Sequence, residues 1–487
     1  MYYPNNPNLR QFFFFFDEEG AQIPWHECSD VDAILQHGQK LLGHSLAQMH
    51  EEARSNVGKG GLGQAVEKYH FGYEPNSESE PDFVAAGMEL KCTPLRKLAD
   101  GSLGAKERLV LNIINYIEEA DKTFETSSFW HKNKLLLLMF YLHETGVNPV
   151  DMIFKLVRTW RFDDVDLKII QDDWQFLHDK IATGHAHEIS EGDTFYLAAC
   201  TKGSKSGAEM REQPRTTIKA QQRAYSLKAS YMNQIILESY LDSSIRHNLQ
   251  ILPKRLAKLQ KERADRAIKS TQAYKQAETF EQLIDRRFQP YYGKTIGEIQ
   301  KLTKTTFSIQ AKDYGYNVCR AILGVKSKQV SEFVKAGIIL KAIQLEASMD
   351  KIKESISFPF MHYLEIAQQE WEESDWCATI SSKFLFAIFR KSKDGQRVNS
   401  QLVKVVFWNM PVVDMKYPQE LWEDTKNKIL ADRYSSFITT KTHPVCHVRP
   451  HAKDAADTTD TPQGHKEKKM CFWLNNDYIL NAIKGKL

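Results

Sequence analysis

The charged residues Asp82, Glu89 and Lys91 stand close together in PDFVAAGMELKC, residues 81–92. Two carboxylates brought together repel and raise each other's pKa, so their meeting requires a cation. Magnesium fits, because it prefers oxygen ligands, accepts one or two carboxylates and keeps water molecules. A lysine beside the ion can help to deprotonate a water or stabilise transition-state charge. These residue types predict Mg²⁺-dependent phosphodiester hydrolysis to a 5′-phosphate, with Asp82 and Glu89 as metal ligands.

A strand and a bend must position these side chains. Alternating apolar and polar residues predict a strand in GMELKC, bounded by Gly87 and Pro94. Residues two apart on a strand share a face, so Glu89 and Lys91 point the same way. A hairpin or bend before the strand would return Asp82 to Glu89. The alternative to a metal site is a strand edge with one salt bridge, in which these residues have the same spacing by chance.

The stretch NVGKGGLGQAVEKYHFG, residues 56–72, precedes this motif. Its glycine-rich turn opens a predicted helix but lacks the Gly-Lys-Ser/Thr ending of a P-loop. A helix N-terminus with nearby glycines and Lys59 suits a DNA phosphate. Glu67, one turn inside the helix, can face Asp82 as a further carboxylate. The alternative is a surface helix with an ordinary N-cap.

The sequence around the motif is repeated once in the chain. PDFVAAGMELKCTPL at 81–95 matches SEFVKAGIILKAIQL at 331–345, and three further pairs follow the same order at nearly the same offset of 250 residues. These pairs are GHSLAQM 43–49 with GKTIGEI 293–299, LGQAVEKYHFG 62–72 with YGYNVCRAILG 314–324, and AYSLKASYMNQII 224–236 with CFWLNNDYILNAI 471–483. Such a period is a whole domain and too long for a solenoid.

The duplication predicts two domains joined by a linker: a catalytic domain over residues 1–241, a linker over 242–284 and a second domain over 285–487. A charged linker helix is predicted after Pro253. The linker is either a solvated connector or a contact for the DNA backbone.

The second copy lacks most of the acidic residues. Cys319, Glu332 and Ile339 stand where the first copy has Glu67, Asp82 and Glu89, although Lys341 is kept. One carboxylate beside an isoleucine cannot assemble a magnesium site. We therefore expect the second copy to fold like a nuclease and not to cut.

Composition places the chain among ordinary globular proteins. The 487 residues are 42% hydrophobic and carry a formal net charge of +3, so any nucleic-acid signal must be regional. Residues 201–235 have seven Lys or Arg against two acids, and residues 243–287 have eleven against five. Seven scattered cysteines without a CxxC pair fit reduced thiols. Since no apolar run is long enough to cross a bilayer, we expect a soluble cytoplasmic protein without a membrane partner.

Several segments together resemble one family. The order Lys59, Glu67, PDFVAAGMELK, ETSSFWHKNK (125–134), YLAACTKG (196–203) and AYSLKASYMNQII covers the first copy, with KERLVLNIINY (106–116) between and CHVRPH (446–451) in the second. It resembles the MutH family of PD-(D/E)xK nucleases, especially its GATC-cutting type II restriction endonucleases. The resemblance implies α/β architecture, with two tandem MutH-like domains, each a mixed sheet flanked by helices. It also implies cleavage of double-stranded DNA at 5′-GATC-3′ with Mg²⁺.

The resemblance implies catalytic roles residue by residue. Asp82 and Glu89 match the family's metal ligands, and Lys91 matches its catalytic lysine. Glu67 matches the carboxylate on the preceding helix. Lys132, in ETSSFWHK, matches a lysine near the scissile phosphate.

Recognition residues follow in the same way. Lys202 falls on a lysine that reads a base in the major groove, although Cys200 and Thr201 replace the Arg-Pro that precedes it in the mismatch-repair members. Ser226 stands where those members sense adenine methylation with a tyrosine, next to Lys228. Arg449 occupies the corresponding loop of the second copy and is a candidate groove or phosphate contact.

Two other functions are consistent with parts of the sequence, beside that of a restriction endonuclease. A non-cleaving regulatory DNA-binding protein conflicts with the retention of all four catalytic residues, and a mismatch-repair type GATC nickase conflicts with the doubled length. A restriction enzyme implies a cognate DNA methyltransferase in the host. A palindrome has two scissile phosphates, so cutting both strands needs a DNA-induced homodimer or two successive nicks. The second copy either binds another GATC site as an allosteric effector domain or only buttresses the first.

Overall fold

The computed structural model describes residues 14–16, 22–55, 61–75, 79–202, 210–249, 251–450, 454 and 456–487. The chain divides into two compact units. The first comprises residues 1–189, 194–263 and 334–336, and the second comprises 190–193, 264–333 and 337–487. The domain boundaries at 241 and 285 stay a prediction. Across the described ranges, the helices are too short or too polar to cross a membrane.

The first unit mixes short helices with strands. The strands are β1 (Phe14–Phe16), β2 (Gln22–Pro24), β3 (Glu89–Lys97), β4 (Leu103–Ala105), β5 (Leu109–Ile113), β6 (Leu136–Leu142), β7 (Phe154–Trp160), β8 (Leu197–Thr201), β9 (Met210–Arg211), β10 (Ala220–Gln221) and β11 (Arg223–Leu227). The helices are α1 (Val31–Gln39), α2 (Leu46–Met49), α3 (Leu62–Ala65), α4 (Tyr116–Glu119), α5 (Ser128–Asn133), α6 (Asp164–Ala182), α7 (Ala229–Leu241) and α8 (Pro253–Glu262).

A four-stranded mixed sheet carries the acidic motif. Its strand order is β4-β3-β6-β7, with β3 parallel to β6 and the other neighbours antiparallel. Strand β6 reads LLLMFYL and buries six of its seven residues, as expected for a central strand covered on both faces. A separate three-stranded antiparallel sheet has the order β5-β11-β8. The predicted α/β class, with a mixed sheet and helices, is confirmed.

Strand β3 runs through Pro94, which was expected to end it. The N–H of Glu89 donates to Leu135 at the β6 side of the sheet. Successive residues of a strand face opposite neighbours, so the N–H of residue 94 would face away from β6. On that side β4 begins pairing only at Leu95. Proline is therefore tolerated here, because the missing donor breaks no ladder bond.

Capping side chains fix where several helices begin. The carboxylate of Asp30 accepts the N–H groups of residues 32 and 33 before α1, and Asp163 does the same for residues 165 and 166 before α6. Ser127 caps α5 through the N–H of residue 130. Short polar side chains at the N-cap satisfy N–H groups that have no partner within the helix.

The second unit has its own strands and helices. Its strands are β12 (Ile339–Leu345), β13 (Ile356–Phe360), β14 (Phe384–Arg390), β15 (Gln401–Trp408), β16 (Cys446–Pro450), β17 (Thr458–Asp460), β18 (Lys466–Lys468) and β19 (Met470–Leu474). Its helices are α9 (Phe280–Phe288), α10 (Ile296–Thr303), α11 (Tyr314–Leu323), α12 (Ser331–Ala336, shared with the first unit at its last three residues), α13 (Tyr363–Gln368), α14 (Asp375–Ile380), α15 (Lys416–Leu430) and α16 (Asn476–Lys484).

The strand topology of the second unit repeats that of the first. Strand β12 is parallel to β14, and β14 is antiparallel to β15, as in β3, β6 and β7. The order β13-β19-β16 repeats β5-β11-β8, and the hairpin β17-β18 repeats β9-β10. The duplication inferred from sequence is therefore a duplication of fold.

The predicted linker helix begins at Pro253 and ends at Glu262. Proline suits the first turn of a helix, because its missing N–H would have no partner there. The helix buries none of its residues. Arg255 pairs with Asp100 at 2.5 Å within the first unit. Beyond the helix, the chain is irregular apart from a short turn at residues 271–273, up to α9.

A buried carboxylate anchors the chain where it enters β8. Asp173 of α6 is 2% exposed and accepts three backbone N–H groups, from Phe195 at 2.7 Å, Tyr196 at 2.6 Å and Leu197 at 2.9 Å. Burial raises the pKa of Asp173 to about 6, although these N–H groups and Lys228 act to lower it. Asp173 therefore sets the direction of the strand that leads to Lys202.

We expect Asp173→Ala to lower the free energy of unfolding by about 3 kcal/mol, because three buried N–H groups lose a charged acceptor. Urea unfolding would measure the loss. Asp172→Ala is the matched control, since Asp172 lies on the same helix and pairs with Lys168 one turn away. That variant should change stability by at most about 0.5 kcal/mol. Equal effects of the two substitutions would contradict the anchoring role.

Candidate active site

A tight hairpin returns the chain onto the start of β3. Phe83 and Met88 form an antiparallel bridge with N–H···O distances of 2.9 and 3.2 Å. Gly87 has a φ of +60°, a conformation that favours glycine. This is the bend that the sequence required, and it places Asp82 beside Glu89.

Backbone and lysine hydrogen bonds fix the two carboxylates. The Leu90 N–H donates to Asp82 Oδ2 at 2.8 Å, and the Asp82 N–H donates to Glu89 Oε2 at 3.3 Å. Lys91 Nζ donates to Glu89 Oε1 at 2.6 Å, which confirms that both residues share a face of β3. Lys132 Nζ lies 3.6 Å from the same oxygen. Glu89 is only 2% exposed, so its charge depends on these neighbours.

Glu67 belongs to the same acidic cluster but comes from the helical segment that precedes the hairpin. It lies in a single π-helical turn, Val66–His70, that continues α3. Such turns often occur at functional sites, because they redirect one side chain. Burial raises the pKa of Glu67, the charge of Glu89 raises it further, and Lys91 and Lys132 oppose the shift.

The carboxylates repel one another strongly. The pKa of Asp82 rises from 3.8 to about 8, first because of burial and then because of the charges of Glu89 and Glu67. The Leu90 N–H and Lys91 oppose this rise but do not cancel it. An acidic cluster that holds a proton near neutral pH has an excess of negative charge, which a divalent cation would relieve.

The donor set fits Mg²⁺. This ion takes one or two carboxylates and fills its remaining positions with water and phosphate oxygens. Asp82 and Glu89 would hold it, with Glu67 as a further acidic neighbour. Among the described residues, no group of three or more His, Cys, Asp or Glu side chains already has metal-binding geometry. Lys91 now contacts Glu89, so a bound cation would share or replace this ammonium contact.

The predicted DNA contacts are more dispersed. Lys59 lies outside the described residues, whereas Lys132 joins the acidic cluster. Lys202 follows β8, is partly exposed, and donates its N–H to Gln222 O at 2.8 Å. Arg449 is an exposed residue of β16, and its guanidinium lies 5.1 Å from the centre of the Trp473 ring.

Ser226 and Lys228 bond within the protein. Ser226 is 1% exposed in β11, and its hydroxyl donates to Ala198 O at 3.3 Å. Lys228 Nζ donates to Thr194 O. All five residues of β11 are buried, so the Ser226 hydroxyl lies inside the protein and not at its surface. A DNA contact by either residue stays a prediction.

Sequence reasoning missed Tyr73, which packs beside the acidic cluster. Its N–H donates to Glu67 O at 3.2 Å, and its ring meets Phe83 edge-on at 6.0 Å. In the sequence, only the position of Tyr73 six residues after Glu67 indicates that it lies near the acidic residues. Its residue type does not distinguish it from a core aromatic.

The strand register of the second copy places an isoleucine at the position of Glu89. Ile339 opens the parallel pairing of β12 with β14, as Glu89 opens that of β3 with β6. Lys341 takes the place of Lys91, and its Nζ donates to Ser357 O at 2.6 Å. The second copy therefore keeps the lysine but uses it to hold its own backbone.

Glu332, the acidic residue that the second copy keeps, is also hydrogen-bonded within the protein. Glu332 is 2% exposed, and its carboxylate accepts the N–H groups of Ala267 at 3.0 Å and Ile268 at 2.8 Å. Cys319, at the position of Glu67, is fully buried. Glu332 thus anchors the chain that follows the linker helix and does not face a second carboxylate at the positions of Glu67 and Glu89.

Asp82→Asn should stabilise the metal-free protein increasingly from pH 5 to pH 8. Since the folded pKa of Asp82 is about 8 and its ordinary value is 3.8, the folded state binds the extra proton between these values. Its contribution is fully present below about pH 4 and is lost as the pH rises through about 8. Asparagine resembles the neutral acid and keeps an acceptor for the Leu90 N–H. Thermal melts in the presence of a chelator would show a growing gap in midpoint.

The control for this measurement is Asp121→Asn, which changes an exposed carboxylate of the same unit. Its difference from wild type should not grow with pH in this way. If wild type and Asp82→Asn lose stability in parallel between pH 5 and pH 8, the three carboxylates do not repel as described.

Comparison with known proteins identifies the chain. Residues 71–173 match the family described as DNA mismatch repair enzyme MutH. The chain is 31% identical to the type II restriction enzyme Sau3AI of Staphylococcus aureus, over 93% of this chain and 98% of that enzyme. It is 25% identical to the DNA mismatch repair protein MutH of Vibrio campbellii, over 43% of this chain and 94% of that protein. The chain therefore belongs to the MutH-like type II restriction endonucleases, as an enzyme with two tandem MutH-like domains.

Proposed function

We propose that this restriction endonuclease cuts double-stranded DNA at 5′-GATC-3′ by Mg²⁺-dependent hydrolysis to 5′-phosphate ends. The observation that carries the chemistry is the meeting of Asp82, Glu89 and Glu67 with Lys91 and Lys132. The site specificity rests on the resemblance of the sequence motifs to GATC-cutting enzymes.

The side chains divide the chemistry among them. Asp82 and Glu89 would hold Mg²⁺, which would supply positive charge for the phosphate and make a water more acidic. Lys91 is placed to orient that water or to balance the charge of the transition state. Lys132, on the same side of Glu89, suits the scissile phosphate. The attacking water forms a bond to phosphorus while the bond to the 3′ oxygen breaks, leaving 5′-phosphate and 3′-hydroxyl ends.

Recognition is assigned to the segment around Lys202. Lys202 directly follows β8, the strand whose first residue donates its N–H to Asp173. The N–H of Lys202 itself donates to Gln222 O, which holds the backbone in place. Lysine or arginine paired with guanine is the commonest specific contact in the major groove. Lys59 would add a phosphate contact, and such contacts position the protein on DNA without reading sequence.

The second copy is proposed to bind DNA without cutting it. Ile339 and the engaged carboxylate of Glu332 leave no pair of acids for a cation. Arg449 is exposed at the edge that corresponds to the recognition strand of the first copy. We assign this copy an effector role, in which a second GATC site favours the cutting-competent state. Couplings of this kind typically amount to about 1–3 kcal/mol.

The proposal also includes partners. A palindromic site has two scissile phosphates, and each chain carries one complete acidic cluster, so two chains would meet on one site. Unmodified GATC sites of the host would be cut, so a cognate DNA methyltransferase must protect them.

Glu89→Gln and Lys91→Ala should each slow plasmid cleavage at least about 100-fold, because the metal ligand or the balancing charge is lost. Binding of a GATC duplex should change far less. Gel electrophoresis of plasmid with purified full-length protein and Mg²⁺ measures the rate, and filter binding in Ca²⁺ measures affinity. Lys341→Ala is the matched control, because this lysine occupies the equivalent strand position and should leave cleavage unchanged.

Two results would overturn these assignments. Cleavage by Glu89→Gln at nearly the wild-type rate would remove the metal site. Wild-type protein that produces only nicked circles would favour the nickase interpretation instead of the restriction one.

A plasmid with two GATC sites should be cut faster than a plasmid with one, and a short GATC duplex added in trans should stimulate the one-site reaction. Arg449→Ala should reduce this stimulation while the unstimulated one-site rate stays unchanged. The comparison separates an effector contact from catalysis, since Arg449 lies in the second unit. Equal rates on both plasmids, with no stimulation in trans, would leave the second copy a structural role only.

A further inference from the structure

Tyr73 is held between the two segments that supply carboxylates. Its N–H donates to the carbonyl of Glu67 at 3.2 Å, directly after the π-helical turn. Its ring packs against Phe83, with centroids 6.0 Å apart and planes at 77°. Phe83 is the neighbour of Asp82 in the hairpin. The backbone and the ring of Tyr73 therefore link the helix that bears Glu67 to the hairpin that bears Asp82.

The hydroxyl of Tyr73 is buried and lacks a hydrogen-bond partner within the part of the chain that the structure describes. Two other buried tyrosines of this unit have such a partner: Tyr116 donates to Gln221 O at 2.6 Å, and Tyr231 to Asp166 Oδ2 at 2.9 Å. Leaving a buried hydroxyl unpaired costs about 1–3 kcal/mol. A water or ligand that the hydroxyl contacts is the usual explanation for such a group.

The surroundings of this hydroxyl are acidic. Burial, followed by the charges of Asp82, Glu67 and Glu89, raises the pKa of Tyr73 far above its ordinary value of 10. The phenol therefore keeps its hydrogen and has one to donate. None of the three carboxylates accepts that hydrogen directly. A water that accepts from the phenol and donates to a carboxylate would satisfy both groups.

We propose that Tyr73 is a positioning residue of the active site, whose hydroxyl donates to a water of the hydrated Mg²⁺ held by Asp82 and Glu89. The inference rests on the proposed function and names a further residue of its site. Mg²⁺ gives up its waters reluctantly, so its outer contacts in a protein run through them. Loss of such an outer partner typically weakens metal binding or activity about 10- to 100-fold.

Tyr73→Phe tests this role, because it removes only the hydroxyl. Calorimetric titration of the full-length protein with Mg²⁺ alone should show affinity about 10-fold weaker than wild type. The Mg²⁺ concentration for half-maximal plasmid cleavage should rise by a similar factor. At saturating Mg²⁺ the cleavage rate should fall by no more than about threefold, since Tyr73 acts through the metal's water and does not touch the phosphate.

The stability of the metal-free protein provides an independent readout. Since the hydroxyl has no described partner, Tyr73→Phe should leave the thermal midpoint unchanged or raise it. Tyr69→Phe, the same substitution four residues earlier in the π-helical turn, is the matched control and should leave Mg²⁺ affinity unchanged.

The possible failures are distinguishable. If wild type binds Mg²⁺ and cuts GATC while Tyr73→Phe binds Mg²⁺ equally well, the positioning role is overturned and the proposed function stands. A lowered thermal midpoint with unchanged Mg²⁺ affinity would show a structural role and overturn it as well. If wild type neither binds Mg²⁺ nor cuts, the proposed function falls, and the inference falls with it.

Discussion

A buried carboxylate at the first residue of β3 is the constraint on which the active site depends. Glu89 is 2% exposed, and an unpaired charge in such a place costs several kcal/mol. Lys91, Lys132 and the Asp82 N–H therefore have to surround it. The hairpin at Gly87 brings the Asp82 N–H within hydrogen-bonding distance of Glu89. It also brings the Asp82 carboxylate close to Glu89. The groups that stabilise Glu89 thus create the repulsion that calls for a cation.

The two copies share a fold but differ at the candidate active site, so comparing them shows which residues the fold itself requires. The parallel pairing of β12 with β14 opens at Ile339 as that of β3 with β6 opens at Glu89, so the sheet does not need the charge. In the second copy, Lys341 donates to the backbone oxygen of Ser357, and Glu332 accepts backbone N–H groups after the linker helix. The fold is shared by both copies, whereas the acidic cluster depends on a few side chains that differ between them.

The sequence predicts what local patterns determine. Alternation around Glu89 gave the strand, Gly87 gave the hairpin, and the repeat gave the duplicated topology. Properties that depend on distant partners were not predictable in this way. Strand β3 continues through Pro94 because β4 pairs only from the next residue, and Ser226 is buried because its strand turns it toward Ala198. Lys132 was found only through resemblance, since its approach to Glu89 joins segments far apart in the chain.

Under the proposed function, charge balance would make cation binding and DNA binding at this site depend on each other. With three carboxylates against two lysines, the pKa of Asp82 stands near 8, so part of the repulsion is relieved by a proton. A DNA phosphate adds negative charge to this site and is disfavoured there until further positive charge arrives. A divalent cation held by Asp82 and Glu89 would supply that charge and favour the ionised form of Asp82. The second copy has replaced this repulsion with apolar and backbone contacts. At these positions the second copy therefore has no cluster of three carboxylates like that of Glu67, Asp82 and Glu89.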